Sequence, residues 1–463
     1  MTGCYASRMQ SGKLFFLALV LGVASTACVG DSSVPNDSGG NDVTTTNDGG
    51  NNGDVTTCTP SCKNATTLHD CTTQSDVACN IGCVPTGTPH CAVMQPASPV
   101  TQADLTAAGV ADLVISKLTV IHTDTGAIDG IRAANSDPTA HEVISQIGFQ
   151  LFSGANVGVF TVKNFTVNDT IVAVARGGPA LAIVAGDTIT LAGTLDLRGT
   201  KTDGTLCGAS SPSAVGPGGT AGGLGAGNDG VGAGAGHGAD VGGGGGGGFG
   251  GTGGDGRKYT SEQAPSSTGG ASVQFALPIS GGFGGGANGA GNGGGGGGAV
   301  QLVAVNLIKI GGGTKAGGVN AGGCGGFGAQ NPSFPNTGGG GGGSGGEILL
   351  QSPTVNMLAN GVLAANGGAG GDGGGFGAAG LLSDQPALAA TSSTSPGGNG
   401  AAGNTLNGVS VTTGTMTQGA GGGGAVGRIR IDNAAGAVTL GGGAILSPSL
   451  GTNAVTTVKL TSN

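Results

Sequence analysis

The sequence predicts an all-β protein, a right-handed parallel β-helix that carries glycine-rich loop insertions and follows a small disulfide-rich module. Three observations predict it: an apolar pattern recurs four times, glycine blocks separate the copies, and six cysteines cluster ahead of them. The apolar segments alternate with the two-residue period of β-strands and are too short to form hairpins alone. Repeats of about twenty residues bury their apolar face by stacking on one another.

Each repeat has a first apolar pair, a second pair and a third apolar position. The first pairs are Leu181/Ile183, Val300/Leu302, Ile348/Leu350 and Ile429/Ile431. The second pairs are Ile189/Leu191, Ile308/Ile310, Val355/Met357 and Val438/Leu440. The third positions are Leu195, Val319, Leu363 and Ile445. We expect equivalent residues to lie above one another in neighbouring coils, about 4.8 Å apart.

The bulk composition narrows the function classes. Glycine (108 residues) and proline (18) make up more than a quarter of the 463 residues, whereas charged residues are only 9%. A net charge of −9 argues against a nucleic-acid partner, which requires clustered lysine and arginine. Few ionisable groups are left for acid–base catalysis, so we expect no catalytic residues and no cofactor.

Residues 1–28 are predicted to be an export signal, with translation starting at Met9. Lys13 precedes the apolar run Leu14–Val23, which is too short to span a membrane. Small residues then lead to Cys28, an arrangement that resembles a bacterial lipoprotein signal and implies lipid modification of Cys28. The alternative is a plain secretory signal that contains a cysteine.

Residues 29–57 contain almost nothing that can be buried and predict a disordered tether. Residues 58–91 contain a half-unit of three cysteines used twice: Cys58, Cys62 and Cys71, then Cys79, Cys83 and Cys91. In an exported chain this predicts a disulfide module in which at least one bridge joins the two halves. The alternative is a zinc site that includes His69 and His90.

A linker at 92–100 and a β-rich N-terminal cap at 101–175 precede the β-helix at 176–463. In the cap we predict a helix over Asp104–Ser116. Four strand-like runs follow it: Leu118–Ile121, Val143–Phe152, Gly158–Val167 and Ile171–Ala175.

Glycine-rich insertions are expected at about 200–298, 322–346 and 367–424. Each leaves after the third strand of one coil and returns before the first strand of the next, so all three are expected at one corner. Two interpretations remain open: flexible coil, or extended segments of the polyproline II type that pack side by side. Cys207 and Cys324 occupy equivalent positions after two third strands, which predicts a disulfide between them.

Four acids belong to the coils and define an alternative function, a polysaccharide lyase or hydrolase on the same scaffold. They are Asp187, Asp196, Glu347 and Asp432. Glu347 aligns with Arg428, so these two residues are expected to face each other across neighbouring coils. The G-x-S-x-G match at Ser344 is discounted because a β-run follows it, whereas a nucleophile elbow needs a helix.

Calcium is a second metal, besides zinc, that the sequence raises, although we assign no metal site. The carboxylates in question are Asp124 and Asp129 in an acidic loop, and Asp255 and Asp372 in outlines of the GGxGxDxUx nonapeptide. Both outlines lack the apolar residue two positions after the aspartate, and they do not occur in tandem, whereas the oxygen shell requires neighbouring turns.

Taken together, the chain resembles glycine-rich surface lipoproteins of predatory and social Gram-negative bacteria, and it resembles PE-PGRS proteins in composition only. The signal with Cys28, the cysteine-rich stub, the TDTGAIDG and VFTVKNFTV segments and the GGAVQLVA, GGEILLQSP and GGAVGRIRID repeats carry the first resemblance. It implies an outer-membrane, cell-surface location with a lipid anchor as the membrane contact. We therefore expect a non-catalytic structural or adhesive protein whose candidate partner is extracellular polysaccharide or another cell surface.

Overall fold

The computed structural model describes residues 58–460, with gaps at 81, 109–110, 200–206, 208–213, 226, 241, 258–264, 289–290, 329–337, 392–394 and 413–418. The predicted signal at 1–28, with Met9 and Cys28, and the tether at 29–57 lie outside the described residues. The structure is nearly all β, with 32% strand and 1% helix. The all-β prediction is therefore confirmed.

The cysteine-rich module consists of short antiparallel strands held by three disulfides. Its strands are β1 Ser61–Asn64, β2 Thr67–Asp70, β3 Ser75–Ala78, β4 Cys83–Val84 and β5 His90–Cys91. The bridges are Cys58–Cys71, Cys62–Cys83 and Cys79–Cys91. Cys62–Cys83 joins the two cysteine half-units, as the odd number of cysteines in each half requires.

A single short helix, α1 (Gln102–Thr106), follows the module in the described chain. Thr101 caps it, because its hydroxyl accepts from the Asp104 amide while the Asp104 carboxylate bonds back to the Thr101 amide. The predicted helix over Asp104–Ser116 is wrong beyond Thr106. Residues 113–115 form a strand instead, because they pair in parallel with 165–167, and this tertiary ladder outweighs local helix propensity. No described helix is long and apolar enough to cross a membrane.

The remaining strands are short. In chain order they are β6 Leu113–Ile115, β7 Thr119–His122, β8 Glu142–Ile144, β9 Ile147–Phe152, β10 Val157–Val162, β11 Phe165–Val167, β12 Val172–Arg176, β13 Ala180–Ala185, β14 Thr188–Leu191, β15 Thr194–Asp196, β16 Gly256–Arg257, β17 Pro265–Ser267, β18 Ala299–Ala304, β19 Leu307–Ile310, β20 Gly317–Asn320, β21 Glu347–Gln351, β22 Thr354–Met357, β23 Gly361–Ala364, β24 Arg428–Asn433, β25 Ile445–Ser447 and β26 Val455–Lys459.

Three sheets, parallel along most of their length, contain all of these strands except β16 and β17, which pair with each other in antiparallel fashion. Sheet 1 has the order β26-β24-β21-β18-β13-β10-β9-β8, sheet 2 β22-β19-β14-β11-β6 and sheet 3 β25-β23-β20-β15-β12-β7. Four consecutive repeats each place one strand in sheet 1, the next in sheet 2 and the third in sheet 3. The first of these repeats is β10–β11–β12, so the regular pattern begins inside the segment predicted as a cap.

The strand register matches the apolar pattern with two exceptions, one among the second pairs and one among the third positions. Of the second pairs, Val438 and Leu440 lie outside the strands, and Leu440, which makes an isolated bridge to Met357, is 37% exposed. Leu181 and Ile183 lie beside Val300 and Leu302, which lie beside Ile348 and Leu350 and then Ile429 and Ile431. In sheet 3, Leu363 pairs with Leu446 and not with the predicted Ile445. Ile445 pairs with Val362 instead. This one-residue slip reverses which side chain faces the core, because successive strand residues point to opposite faces.

Apolar side chains pack on both faces of sheet 1. On the inner face, Leu181 of sheet 1 shares a core with Ile308 of sheet 2 and Leu363 of sheet 3. On the outer face, Ala182, Val303 and Leu349 pack against Met94, Val100 and Leu105 of the preceding segment. The segment at 92–108 thus covers the outer face of sheet 1. The polar residues on that face, described below, lie beneath this segment or close to it.

The described parts of the glycine blocks form extended segments that hydrogen-bond to one another, and we call these segments glycine rods. They connect sheet 3 to sheet 1 in every case, from β15 to β18, β20 to β21 and β23 to β24. The rod at 242–248 contacts six neighbours. Its amides donate with a three-residue period: Gly243 and Gly246 to Arg257 and Gly254, Gly244 and Gly247 to Gly339 and Gly342, Gly245 and Gly248 to His237 and Gly234.

Three other neighbours donate to the carbonyls of the same rod. The donors are Gly422 to Gly244, Gly286 to Gly245, Gly270 to Gly246 and Ala425 to Gly247. A period of three residues with no bond inside the segment is the geometry of polyproline II. Of the two interpretations of the glycine blocks, the structure therefore supports packed extended segments.

Candidate functional site

The four acids proposed for catalysis are distributed over different parts of the fold. Asp187 lies at the turn between β13 and β14, where its carboxylate accepts from the Asn306 side chain at 2.9 Å. Asp196 ends β15 in sheet 3 and pairs with Arg198 at 2.7 Å. Glu347 and Asp432 lie in sheet 1. The structure thus brings together two of the four acids at most, in one sheet.

The polar residues of sheet 1 form an outer polar cluster, which consists of Gln301, Glu347, Gln351, Arg428, Arg430 and Asp432. Gln301 donates to Gln351 Oε1 at 2.8 Å, Gln351 donates to Asp432 at 3.0 Å, and Arg430 pairs with Asp432 at 2.7 Å. These residues occupy neighbouring strands, so the bonds run across β18, β21 and β24.

The outer polar cluster makes hydrogen bonds and ring contacts to two segments that cover the outer face of sheet 1. The backbone of Ala97 donates to Gln351 and accepts from Gln301, which attaches the linker to sheet 1. Arg428 donates to the Val273 carbonyl and lies 5.9 Å from the centre of the Phe249 ring. Arg430 lies 5.1 Å from the Phe275 ring. The cluster therefore joins sheet 1 to both the linker and the glycine rods.

Glu347 and Arg428 are register partners across β21 and β24, as the alignment of the repeats predicts. Glu347 is fully buried, and burial raises the pKa of its carboxyl to about 8 against the opposing effect of the Ser280 amide and of Arg428 and Arg430. Burial also lowers the pKa of Arg428. Among the described residues, Glu347 Oε1 has no hydrogen-bond partner.

Burial limits what this cluster can do chemically. The exposed fractions of Glu347, Asp432 and Arg428 are 0%, 3% and 9%. A substrate as large as a sugar chain has no access to carboxylates that are covered in this way. The arrangement is suited to holding segments together and not to acid–base catalysis on a polymer.

The calcium candidates lie apart and bond within their own loops. Asp129 pairs with His122 at 3.0 Å, Asp255 accepts from the Gly269 amide at 2.8 Å, and Asp372 accepts from the Gly374 amide at 2.9 Å. Asp124 is exposed. Within the described chain, none of the four belongs to a group of three or more potential metal ligands.

The disulfide candidates are all paired in the structure. Besides the three bridges of the module, Cys207 bonds to Cys324 with their Cα atoms 5.5 Å apart. His69 lies close to Cys58 and Cys71, a trio that metal-ligand geometry alone would accept. However, these two sulfurs are bonded to each other, and a disulfide sulfur is not the thiolate that zinc binds.

A polar hollow opens where the last glycine rods meet the turn after β25. It has a cavity volume of about 410 Å³, and its polar lining includes Asp384, Asn399, Asn404, Thr405 and Ser449. The Ser449 amide donates to the Gly403 carbonyl at 2.9 Å, which fixes the turn against the rod. One carboxylate, two amides and two hydroxyls thus line one concave surface.

The two glutamines of the outer polar cluster and two phenylalanines of the neighbouring glycine rods were not predicted from the sequence. Gln301 and Gln351 are buried polar residues in otherwise apolar strands, which was the available signal. Phe249 and Phe283 pack edge to face at 5.2 Å between glycine rods. Their contact joins residues 34 positions apart in a low-complexity block, and no periodic pattern marks it. Comparison with known proteins found no family model, curated protein or solved structure that matches the chain.

Proposed function

We propose that the protein is a non-catalytic structural or adhesive protein of the bacterial cell surface, built as a right-handed parallel β-helix with a rigid body of glycine rods on one side. The β-helix is supported by the rotation of strands through three sheets and by the in-register apolar columns. The lipid anchor at Cys28 and the outer-membrane location belong to this proposal and rest on the sequence.

The packing of the glycine rods is the observation that carries the structural role. The amides of Gly243–Gly248 are bonded to neighbouring segments, so the described part of the insertion at about 200–298 behaves as a packed body and not as a free loop. Glycine rods of this kind expose few chemically reactive side chains, and their hydrogen bonds keep the surface rigid. Such a surface suits a protein that maintains a shape outside the cell.

The adhesive role rests on the polar hollow. Sugars present closely spaced hydroxyls, which pair with carboxylate, amide and hydroxyl groups of the kind that Asp384, Asn404 and Ser449 supply. The hollow is open to solvent, in contrast to the outer polar cluster. We therefore propose extracellular polysaccharide as the partner and the hollow as its contact.

Co-sedimentation of the oxidised protein with insoluble cellulose, chitin and cross-linked dextran tests this proposal. We expect saturable binding to at least one polymer and a loss of about tenfold in affinity for the double variant Asp384→Ala/Asn404→Ala, because two sugar contacts disappear. The control is Asp124→Ala, which removes an exposed acid in another loop. Absence of binding to all three polymers and to soluble bacterial exopolysaccharide would contradict the adhesive role.

The same samples distinguish the enzyme alternative. A lyase or hydrolase would release new reducing ends or unsaturated sugars during incubation, whereas an adhesin would leave the polymer intact. Release of such products that is lost in Glu347→Ala would overturn the non-catalytic proposal. We expect no release with the wild type.

A further inference from the structure

The side chains around the Cys58–Cys71 disulfide contain the ligands of a metal site that the bridge keeps closed. The two sulfurs and one ring nitrogen of His69 all lie within 4.8 Å of one another. Thiolates and imidazoles are the ligands that zinc prefers, and a tetrahedral zinc ion holds them roughly 3.5 Å apart. Three ligands are therefore within reach of one ion once the bond between the sulfurs is broken.

Asp76 holds His69 in the orientation of a metal ligand. The Nδ1 atom of His69 bonds to Asp76 Oδ1 at 2.9 Å, and Lys63 donates to the other carboxylate oxygen at 2.6 Å. Histidines that bind zinc commonly donate their second ring N–H to a carboxylate, which fixes the orientation and the tautomer of the ring. The pair of His69 and Asp76 thus has the arrangement of a zinc ligand with its supporting acid.

The strands of the module keep this pair in place without the first bridge. His69 of β2 and Asp76 of β3 are register partners in the three-stranded sheet. The Cys62–Cys83 disulfide attaches β1 to β4, and Cys79–Cys91 attaches the end of β3 to β5. Opening of the first bridge therefore leaves both the histidine and its supporting acid where they are.

The first bridge is also the one that a reductant reaches most easily. Of the six cysteines of the module, all of which the structure describes, only Cys58 is exposed, whereas Cys79 is buried. Exposed disulfides are more readily reduced than buried ones. Exchange with a small dithiol breaks the bond between Cys58 and Cys71, converts both to thiols and leaves the dithiol as a disulfide.

We propose that Cys58, Cys71 and His69 form a redox-controlled zinc site, which binds one Zn²⁺ ion when the bridge is reduced and releases it when the bridge forms again. On binding, the two thiols lose their protons to solvent, and the neutral imidazole becomes the third ligand. The fourth position stays open to water. Exchange with an oxidised dithiol reverses the process: the S–S bond forms, the dithiol takes up two electrons and two protons, and Zn²⁺ leaves. This site is separate from the polar hollow.

The second half of the module supplies a matched comparison. His90 lies seven residues after Cys83, just as His69 lies seven residues after Cys62. Within the described chain, however, His90 belongs to no group of three potential metal ligands, and its Nδ1 atom lies 2.8 Å from the Thr88 carbonyl oxygen. Of the two histidines in the zinc alternative, the geometry therefore selects His69.

Zinc titration of the full-length protein before and after mild reduction tests the proposal. The protein competes for Zn²⁺ with a chromophoric chelator, and alkylation followed by peptide mass mapping identifies the free thiols. The double variant Cys58→Ser/Cys71→Ser keeps every other cysteine and sets the background. Above that background, we expect no zinc in the oxidised wild type, one zinc per chain after reduction, and release of the zinc on re-oxidation. Co²⁺ in its place should give the visible absorption bands of a tetrahedral thiolate site.

Three single variants assign the ligands. His69→Gln should weaken zinc binding by the reduced protein at least tenfold, because one of three ligands is lost. Asp76→Asn removes the carboxylate that orients the ring and should weaken it about tenfold. The matched variant His90→Gln should change nothing.

A fourth variant covers the case in which mild reduction also opens the other two bridges. In Cys58→His, a second imidazole joins the Cys71 thiolate and His69, and no reduction is needed. We expect the oxidised variant to bind zinc while Cys62–Cys83 and Cys79–Cys91 stay closed.

Three results would overturn the proposal. The first is the absence of zinc binding both by the reduced wild type and by oxidised Cys58→His. The second is equal zinc binding by the reduced wild type and Cys58→Ser/Cys71→Ser, which would place the ion on other cysteines. The third is an equal effect of His69→Gln and His90→Gln, which would refute His69 as a ligand.

Discussion

The three sheets and the glycine rods differ in what fills the space between neighbouring segments of the chain. Both satisfy their backbone amides by bonding to neighbouring segments of the same chain. In the sheets, side chains such as Leu302 fill the interior, so the backbone lies at the wall of the core. In the rods, the backbone itself is the interior, and residues such as Gly244 have neighbouring carbonyls where a side chain would begin.

Because of this difference, opposite kinds of substitution are expected to destabilise the sheets and the rods. A sheet loses stability when a side chain becomes smaller, because a cavity opens. A rod loses stability when a side chain appears at all, because the neighbouring rod must move away. High glycine content is ordinarily taken as a sign of flexibility, and here it is the condition for close packing.

The largest effect is expected from a single methyl group inside the rods. In Gly244→Ala the new Cβ atom would overlap the backbone of Gly286, and relief requires two rods to separate. We expect a loss of about 4 kcal/mol or more in the free energy of unfolding, or loss of order in the rods alone. Thermal melts together with hydrogen exchange of the amides at 242–248 measure this.

The matched control is Gly154→Ala, at an exposed turn where no atom lies within 4 Å of the added methyl group. It should change stability by less than about 1 kcal/mol. Equal melts for Gly244→Ala and Gly154→Ala would show that the rods are not tightly packed in solution.

Removal of a core side chain from a sheet should have the next largest effect. Leu302 is fully buried in β18, so Leu302→Ala should lower the free energy of unfolding by about 3 kcal/mol through lost burial and a cavity. Leu118→Ala, at 71% exposure, should cost nearly nothing in the same denaturation experiment. A similar cost at both sites would be inconsistent with the core described here.

The disulfide between Cys207 and Cys324 links two glycine-rich insertions, each of which follows a strand of sheet 3. It closes a loop of 117 residues, so Cys207→Ala/Cys324→Ala should lower the free energy of unfolding by about 2 kcal/mol or somewhat more. The control Cys58→Ala/Cys71→Ala opens a loop of only 13 residues and should cost less. The loop-entropy argument fails if this order is reversed in denaturant titrations.

A further effect, which is absent at low pH, is a dependence of stability on pH at Glu347, where rods and sheet 1 meet. Its pKa of about 8 in the folded protein lies above the value of 4.5 expected after unfolding. The unfolded carboxyl therefore releases its proton first, and the stability present below pH 4.5 declines as the pH rises to about 8.

Glu347→Gln cannot ionise, so it should flatten this decline. We expect it to be more stable than the wild type at pH 8, and similar in stability at pH 4. Chemical denaturation at both pH values measures the difference, with Asp124→Asn at an exposed site as the control. A pH profile identical to that of the wild type would refute the burial of an uncompensated carboxyl.

Prediction from the sequence succeeded where side chains alternate. The columns Leu181–Val300–Ile348–Ile429 and Ile189–Ile308–Val355 follow from apolar spacing, because the pleat forces alternate residues to one face. It failed where spacing is ambiguous, as at Ile445 and Leu446, because two adjacent apolar residues fit the pattern equally well.

The candidate sites were harder to predict. The sequence alone determined the aligned positions of Glu347 and Arg428 and the equivalence of Cys207 and Cys324, since both follow from the repeat. Only the tertiary structure decided that Asp187 and Asp196 lie away from Glu347, because a turn and a different sheet carry them. It also decided the polar hollow, which the last glycine rods and the turn after β25 form together.

The sequence by itself thus determined most of the apolar columns of the repeats and the order of their strands, because the alternation of apolar and polar side chains shows which face of a strand is buried. Only the tertiary structure decided the arrangement of the glycine rods. A glycine has no side chain that could indicate which segment it packs against. The sheets fix the two ends of every glycine block, and the neighbour of each rod is then determined by which carbonyl each amide can reach.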